Sequence, residues 1–310
     1  MAEVVISEFM DEAALDGLKA RYSVTYDPSL VDAPERLHAE LADAVALIVR
    51  NRTQVRASLL DHAPRLRCVG RLGVGLDNID MEECGRRAVA VHPATGANDL
   101  SVAEYVITAA LVLLRGAWLS SAAVAAGAWP RQALVGRELS GRVVGLVGFG
   151  AIAREVAVRA RALGMQVAAH DPLLAADHPA WAQARRLPLD ELLKSADVVS
   201  LHVPLTAATR RMIGAAQIAA MKPGAVLVNA ARGGVVDEQA LADALKAGRL
   251  GGAALDVFEV EPLTAEAGAR FAGIANLLLT PHIAGVTEES NIRVSRVVAD
   301  KVLAGLEAAR

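Results

Sequence analysis

The chain has 310 residues, 54% hydrophobic and only 3% aromatic, enough material for about two aliphatic cores. Its 32 lysines and arginines stand against 35 aspartates and glutamates, a net charge of -3 that argues against a nucleic-acid or basic membrane-binding surface. The longest apolar run is too short to span a bilayer, the acidic start MAEVVISEFMDE lacks the basic region of a signal peptide, and Cys68 and Cys84 form no metal-like cluster, so a cytoplasmic protein with two reduced thiols and no metal is expected.

In chain order, short β-branched runs alternate with helical segments. Residues 4–9, 45–50, 67–70 and 89–92 read as strands, with helices over 11–20, 54–63 and 80–87 between them. This rhythm predicts a mostly parallel sheet with right-handed crossovers, covered on both faces by helices. Residues 101–118, SVAEYVITAALVLLRGAW, are apolar on nearly every face and open on a capping-box spacing, Ser101 to Glu104. A helix apolar all round is buried, so this one is expected to connect to a second domain and to lie between domains or in a subunit interface. A second series follows, with strands over 142–148, 165–171, 196–203, 225–231, 251–257 and 276–282 and helices such as 155–163 and 238–247. A last helix, from about Glu288 to Arg310, extends past the final strand and can return to the first domain. The expected fold is α/β, with two doubly wound parallel-sheet domains: residues 1–98 plus 287–310, and residues 99–286.

The first chemical signal is Gly148-Phe149-Gly150-Ala151-Ile152-Ala153, a G-x-G-x-x-A turn that follows a strand and opens a helix. The first glycine permits the tight turn, the second lets a pyrophosphate approach the backbone, and the small third residue lets helix and strand pack closely. The next strand ends at Asp171, whose carboxylate can accept from both ribose hydroxyls and repels a 2′-phosphate, so NAD is expected over NADP.

Dinucleotide chemistry moves a hydride and leaves the protein to supply orientation and a proton carrier. Histidine serves as that carrier in both directions near neutral pH, a carboxylate stabilises its charged form, and an arginine fork suits a carboxylate substrate. Three strand ends carry these groups: Arg232 after LVNAA, Glu261 in DVFEVEP, and His282 in LTPHIAG. Ligand crevices of open α/β sheets lie outside such carboxyl ends.

AARGGVVDEQAL, ALDVFEVEP and TPHIAGVTEE, with RLGVGLDNID and the glycine turn, resemble the signature segments of the D-isomer-specific 2-hydroxyacid dehydrogenases, most closely the phosphoglycerate dehydrogenase branch without its regulatory domains. The resemblance implies a flavodoxin-like substrate domain and a Rossmann NAD-binding domain with the cleft between them, and a homodimer. It makes Arg232, Glu261 and His282 catalytic, with Arg232 on the substrate carboxylate and carbonyl, His282 as proton donor and acceptor, and Glu261 holding His282. It assigns cofactor binding to Gly148, Gly150, Ala151, Ile152, Asp171, Val203, Pro204, Ala230, Ala231, Arg232, Asp256, His282, Ala284 and Gly285, with Asp256 on the nicotinamide carboxamide. Gly73 and Val74 would offer backbone amides to the substrate carboxylate. Formate dehydrogenases of the same superfamily carry glutamine where Glu261 stands, which sets this chain apart from them. Of the other histidines, His202 is expected to line the cofactor cleft and His170, before Asp171, to border the adenosine, while His38, His62, His92 and His178 are read as packing or surface groups.

Arg50, Arg71 and Arg131 match the positions of phosphate-binding arginines in the phosphoglycerate dehydrogenase branch, and Arg52 is an addition. Arg131 is expected to reach a neighbouring subunit. Together with Arg232 and His282 these complete the expected substrate set, and they point to a second anion on C3, as in 3-phosphoglycerate or (S)-3-sulfolactate. The S label of the latter reflects sulfur's priority over the carboxylate carbon and not an inverted centre. A hydroxypyruvate or glyoxylate reductase, or an NAD-sensing corepressor-like protein, is the alternative.

Overall fold

A computed structural model describes residues 2–308. The chain forms two compact units, one of residues up to Asn98 and from Val286 onward, the other of Asp99–Gly285.

In the first unit the strands are β1 (Val4–Ile6), β2 (Val24–Tyr26), β3 (Ala46–Val49), β4 (Cys68–Arg71) and β5 (Ala90–Pro93). Helices α1 (Leu15–Lys19), α2 (Pro34–Leu41), α3 (Ala57–Leu60) and α4 (Met81–Arg86) connect them. All pairings are parallel, in the order β2-β1-β3-β4-β5. That is a doubly wound sheet whose direction of growth reverses between β1 and β3. Continuous Val/Ile/Leu runs form the central strands because both faces are covered: β1 and β3 are buried at every residue.

The second unit contains α5 (Asp99–Arg115), α6 (Ser121–Ala125), β6 (Val143–Val147), α7 (Ala151–Ala162), β7 (Gln166–His170), β8 (Arg185–Arg186), α8 (Leu189–Ser195), β9 (Val198–Leu201), α9 (Ala215–Ala220), β10 (Val226–Asn229), α10 (Glu238–Lys246), β11 (Gly252–Leu255), α11 (Ala265–Gly268) and β12 (Leu277–Leu279). Its seven parallel strands run β12-β11-β10-β9-β6-β7-β8, reversing between β6 and β9. This is the dinucleotide-binding strand order, extended by one strand. The last helix, α12 (Glu288–Ala308), packs on β4 and β5 of the first unit. Gly70 makes room for it, since a Cβ there would lie 2.6 Å from Val298 and 2.8 Å from Val302. The expected last two residues of this helix, Ala309 and Arg310, lie outside the described residues.

Four expectations need correction. The helix expected over 101–118 spans Asp99–Arg115, because Gly116 takes a left-handed conformation and ends it. Ser101 is buried within its first turn and Glu104 reaches Arg159 at 3.8 Å, so they do not form the expected cap. Leu100 and Leu111 on this helix are exposed in the single chain, which the expected subunit interface allows. The strand expected over 276–282 ends at Leu279; Pro281 lacks an N–H, and the amides of Ile283 and Ala284 bond to the Asp256 side chain instead of a ladder. Strands β2 and β8, of three and two residues, were not expected; so short a run carries no periodicity. Among the described residues, no single helix is long and apolar enough to cross a membrane.

Candidate active site

At the reversal of the second sheet, the Gly148 turn leaves β6 beside the end of β9. Gly148 has φ +87°, and a Cβ there would stand 2.4 Å from the carbonyl oxygen of His202, so only glycine allows this approach. The turn is stitched to the end of β7: Gly148 N donates to His170 O at 2.8 Å, and Phe149 N donates to Asp171 Oδ2 at 2.9 Å. Phe149 is buried and stacks on Trp181 at 5.4 Å. Ala153 is fully buried against the sheet, as a small third residue must be.

Whether these residues suit a dinucleotide is decided at Gly150. A Cβ at Gly150 would meet nothing within 4 Å, and Gly150 caps α7 without a side-chain bond. The first-turn amides of Ala151, Ile152 and Ala153 have no described backbone partner and can receive a phosphate oxygen. Asp171 also accepts from the amides of Leu173 and Leu174, at 2.9 and 3.1 Å, which fixes its carboxylate while leaving acceptor capacity for hydroxyls. His202 bonds Ser200 Oγ through Nε2 at 2.9 Å, and burial pushes its pKa down to about 4, so it is neutral.

Three further strand ends of this unit bring a histidine, a carboxylate and an arginine together. After β12, His282 stands at φ +55°, a conformation that few non-glycine residues adopt. Buried Asp256, just beyond β11, imposes it. Its backbone oxygen accepts from His282 N at 2.8 Å, while its carboxylate accepts from Ile283 N and Ala284 N at 2.8 Å and from Thr280 Oγ1 at 2.6 Å. Thr280 in turn meets the Tyr105 hydroxyl at 2.6 Å. Asp256, expected to face the cofactor, thus also anchors the turn that carries His282.

The His282 ring bonds Glu261 Oε2 through Nδ1 at 2.7 Å, and its Nε2 has no described partner. Burial raises the Glu261 carboxyl, but the bonds from His282 and from Phe258 N, with the charges of His282 and Arg232, together hold it below the usual carboxylate range. A histidine paired in this way through one nitrogen can take and return a proton at the other.

After β10, Asn229 accepts from Ala231 N and donates to Arg232 O, fixing the backbone that carries Arg232. Gly233 then packs against the Phe258 loop so closely that a Cβ would lie 1.6 Å from Phe258 O. Buried Glu238 ties the same loop from behind, accepting from Glu259 N at 2.5 Å. Arg232, Glu261 and His282 are brought together by these contacts. Val203, Pro204, Ala230 and Ala231 stand in the loops beyond β9 and β10, and Gly285 closes the His282 turn. Asn229, Glu238, Thr280 and Tyr105 escaped the sequence reading; a buried polar residue inside an apolar run, as in LVNAA, is the one local signal any of them carries.

In the first unit, Arg50 follows β3, and its Nη2 donates to Asn291 Oδ1 at 2.8 Å. Arg52 instead forks onto Asp32, so its charge is already matched. Arg71 folds over Gly73: a Cβ at Gly73 would lie 1.6 Å from Arg71 Nη1. The Gly73 amide donates to Arg71 O at 2.8 Å and is not the free donor expected, whereas the Val74 amide has no described partner. Arg131, in the second unit, is exposed in the segment after α6.

The model of the D-isomer specific 2-hydroxyacid dehydrogenase, NAD binding domain, matches residues 107–284. The chain is 56% identical to an (S)-sulfolactate dehydrogenase of Chromohalobacter salexigens over 303 residues, 97% of each chain. It is 36% identical to a D-3-phosphoglycerate dehydrogenase of Archaeoglobus fulgidus, covering 97% of this chain but only 56% of that protein's length. The crystal structure of a D-lactate dehydrogenase from Aquifex aeolicus, complexed with NAD and lactic acid, superposes with a TM-score of 0.84 at 30% identity, covering 98% of this chain and 96% of that one.

Proposed function

We propose, for a chain that belongs to the D-isomer specific 2-hydroxyacid dehydrogenases and is an NAD-dependent oxidoreductase of 2-hydroxy acids, that the physiological substrate is (S)-3-sulfolactate. The observation that carries this reading is the 56% identity to a sulfolactate dehydrogenase across nearly the full length of both chains. The Arg50 guanidinium supports it: it forms no ion pair with a described carboxylate, and a 3-sulfonate needs a cation that the protein has not already paired.

In this reading Arg232 binds the substrate carboxylate through its planar fork and orients the C2 oxygen. His282 takes the hydroxyl proton at Nε2 during oxidation and returns it during reduction. Glu261, bonded to Nδ1 at 2.7 Å, fixes the ring and stabilises the imidazolium. Bound NAD supplies the carbon that accepts the C2 hydride. Asp171 favours NAD over NADP by its negative charge, and the amides of Ala151 and Ile152 hold the pyrophosphate. Arg50 and Arg71 meet the substrate's second anion, while the Arg52 fork is turned to Asp32.

The exposed side chains of Trp118, Leu119, Trp129 and Val135 support a homodimer built on residues 116–136, with Arg131 presented to the partner copy. The two free, buried cysteines suit a reducing cytoplasm. Steady-state kinetics with NAD on sulfolactate, 3-phosphoglycerate, glycerate and lactate test the substrate. Sulfolactate is expected to have the highest kcat/KM, and equal values for acids lacking the second anion would overturn the assignment. His282→Asn is expected to retain NAD binding and lose roughly two to four orders of magnitude in turnover.

A further inference from the structure

The first sheet reverses between β1 and β3, and ligands of doubly wound sheets bind outside the carboxyl ends at such a point. The two loops that leave it are Ser7-Glu8-Phe9 and Arg50–Thr53, and each shapes the other. The Glu8 carboxylate is buried and accepts four consecutive backbone amides: Arg50 N and Thr53 N at 2.9 Å, Arg52 N at 3.1 Å and Asn51 N at 3.3 Å. Ser7 Oγ meets Thr53 Oγ1 at 3.0 Å, and Asn78 Nδ2 donates to Thr53 O at 2.8 Å. Burial works to raise the Glu8 carboxyl, but these amides and the Thr53 hydroxyl hold it below its ordinary value, so it stays ionised.

An amide nest of this kind is an anion site, and here the protein fills it with its own carboxylate. What remains for an external anion is the Arg50 side chain. Its guanidinium lies over the Phe9 ring, 5.8 Å from the centroid, and is held at one nitrogen by Asn291. Glu8 spends both oxygens on the backbone, and no described carboxylate forms an ion pair with Arg50. Arg52, two residues on, is matched by Asp32 and stands apart. The geometry therefore points to Glu8, Phe9 and Asn291 as positioning residues that lock Arg50 into a fixed, partly desolvated cation recognising the second anion of the substrate. The inference rests on the reading that the substrate carries such an anion.

The test compares kcat/KM for (S)-3-sulfolactate with that for lactate, which lacks the second anion, in the NAD-supplemented full-length protein. Arg50→Ala is expected to collapse the ratio. Phe9→Ala and Asn291→Ala should each lower it roughly tenfold, the scale of one lost ordering contact to a charged group, mainly through KM for sulfolactate. Asn291→Asp retains a hydrogen-bond acceptor but adds a charge that competes for Arg50, so it should lower the ratio further than Asn291→Ala. A purely structural role would give the opposite ranking, and that result would overturn the inference. Glu8→Gln should likewise lower the ratio where thermal unfolding shows it folded, and Phe9→Ala and Asn291→Ala decide the matter if it does not fold. A ratio lost in Arg50→Ala but unchanged in Phe9→Ala and Asn291→Ala also overturns the inference and leaves the second-anion reading standing. A ratio unchanged in Arg50→Ala overturns both.

Discussion

Replacing Gly233 by alanine would place a methyl carbon 1.6 Å from Phe258 O and 2.1 Å from its carbonyl carbon, both backbone atoms. No rotamer change relieves that clash, so the loop after β10 and the loop after β11 must part by about 2 Å to reach ordinary van der Waals contact. Arg232 sits one residue before the clash and Glu261 three residues after it. Arg232 and the Glu261 that bonds His282 are thus pushed apart. A misplacement of about 1 Å in a reacting constellation costs roughly a hundredfold, or about 2.7 kcal/mol of transition-state stabilisation. We expect kcat/KM in Gly233→Ala to fall by about 10²–10³, with overpacking costing about 1–3 kcal/mol of stability. NADH absorbance gives the first quantity and thermal unfolding the second, with NAD affinity measured by calorimetry. Gly248→Ala is the control: it also has positive φ, +67°, but a Cβ there meets nothing within 4 Å. It should lose about 1–2 kcal/mol of stability and no activity. A folded Gly233→Ala protein with kcat/KM within threefold of the parent would refute the claim that this close approach sets the active geometry.

Three further outcomes are expected. Glu261→Gln keeps an acceptor for His282 Nδ1 but removes the carboxylate charge, so turnover should fall by about tenfold with NAD affinity unchanged; unchanged turnover would sink the role given to Glu261. His202, with a folded-state pKa near 4 against an ordinary 6.5, is neutral when folded and binds a proton on unfolding, so its contribution is intact above pH 6.5 and is lost as pH falls toward 4. That loss is on the order of 3 kcal/mol, and His202→Asn should flatten the fall of Tm over this window. Thr280→Val keeps the shape but removes the hydroxyl between Tyr105 and Asp256. It should lower stability by about 1–3 kcal/mol and kcat more than NAD affinity, and equal losses in both would count against a specific clamp on His282.

The sequence carried the outline of the fold because continuous aliphatic strands and amphipathic helices follow local rules. It carried the glycine turn, Arg232, Glu261 and His282 because each sits at a strand end, where doubly wound sheets put their chemistry. It could not reveal what depends on pairings between distant residues. That Arg52 is spent on Asp32 while Arg50 is left unmatched is a fact about side-chain direction, invisible in IVRNRTQV. The Tyr105–Thr280–Asp256 chain joins residues up to 175 positions apart, so no spacing announces it. Nothing local in AARGGVVDEQAL sets Gly233 apart from Gly234, and only the Phe258 carbonyl beside it gives it a purpose. The end of the helix at Arg115 turned on the handedness of a single residue, Gly116.

The placement of α12 on β4 has a consequence for the order in which the protein is made. The first unit's sheet is translated within the first 98 residues, yet the helix that covers one of its faces begins only at Glu288. At about 5–20 residues per second, the ribosome spends roughly 10–40 s on the intervening chain. Throughout that interval Gly70 and its apolar neighbours face the cell without their cover. The second unit, contiguous in sequence, completes itself first, so the nascent chain is a finished nucleotide-binding body tethered to an unfinished partner, and chaperone occupancy should concentrate on the amino-terminal sheet.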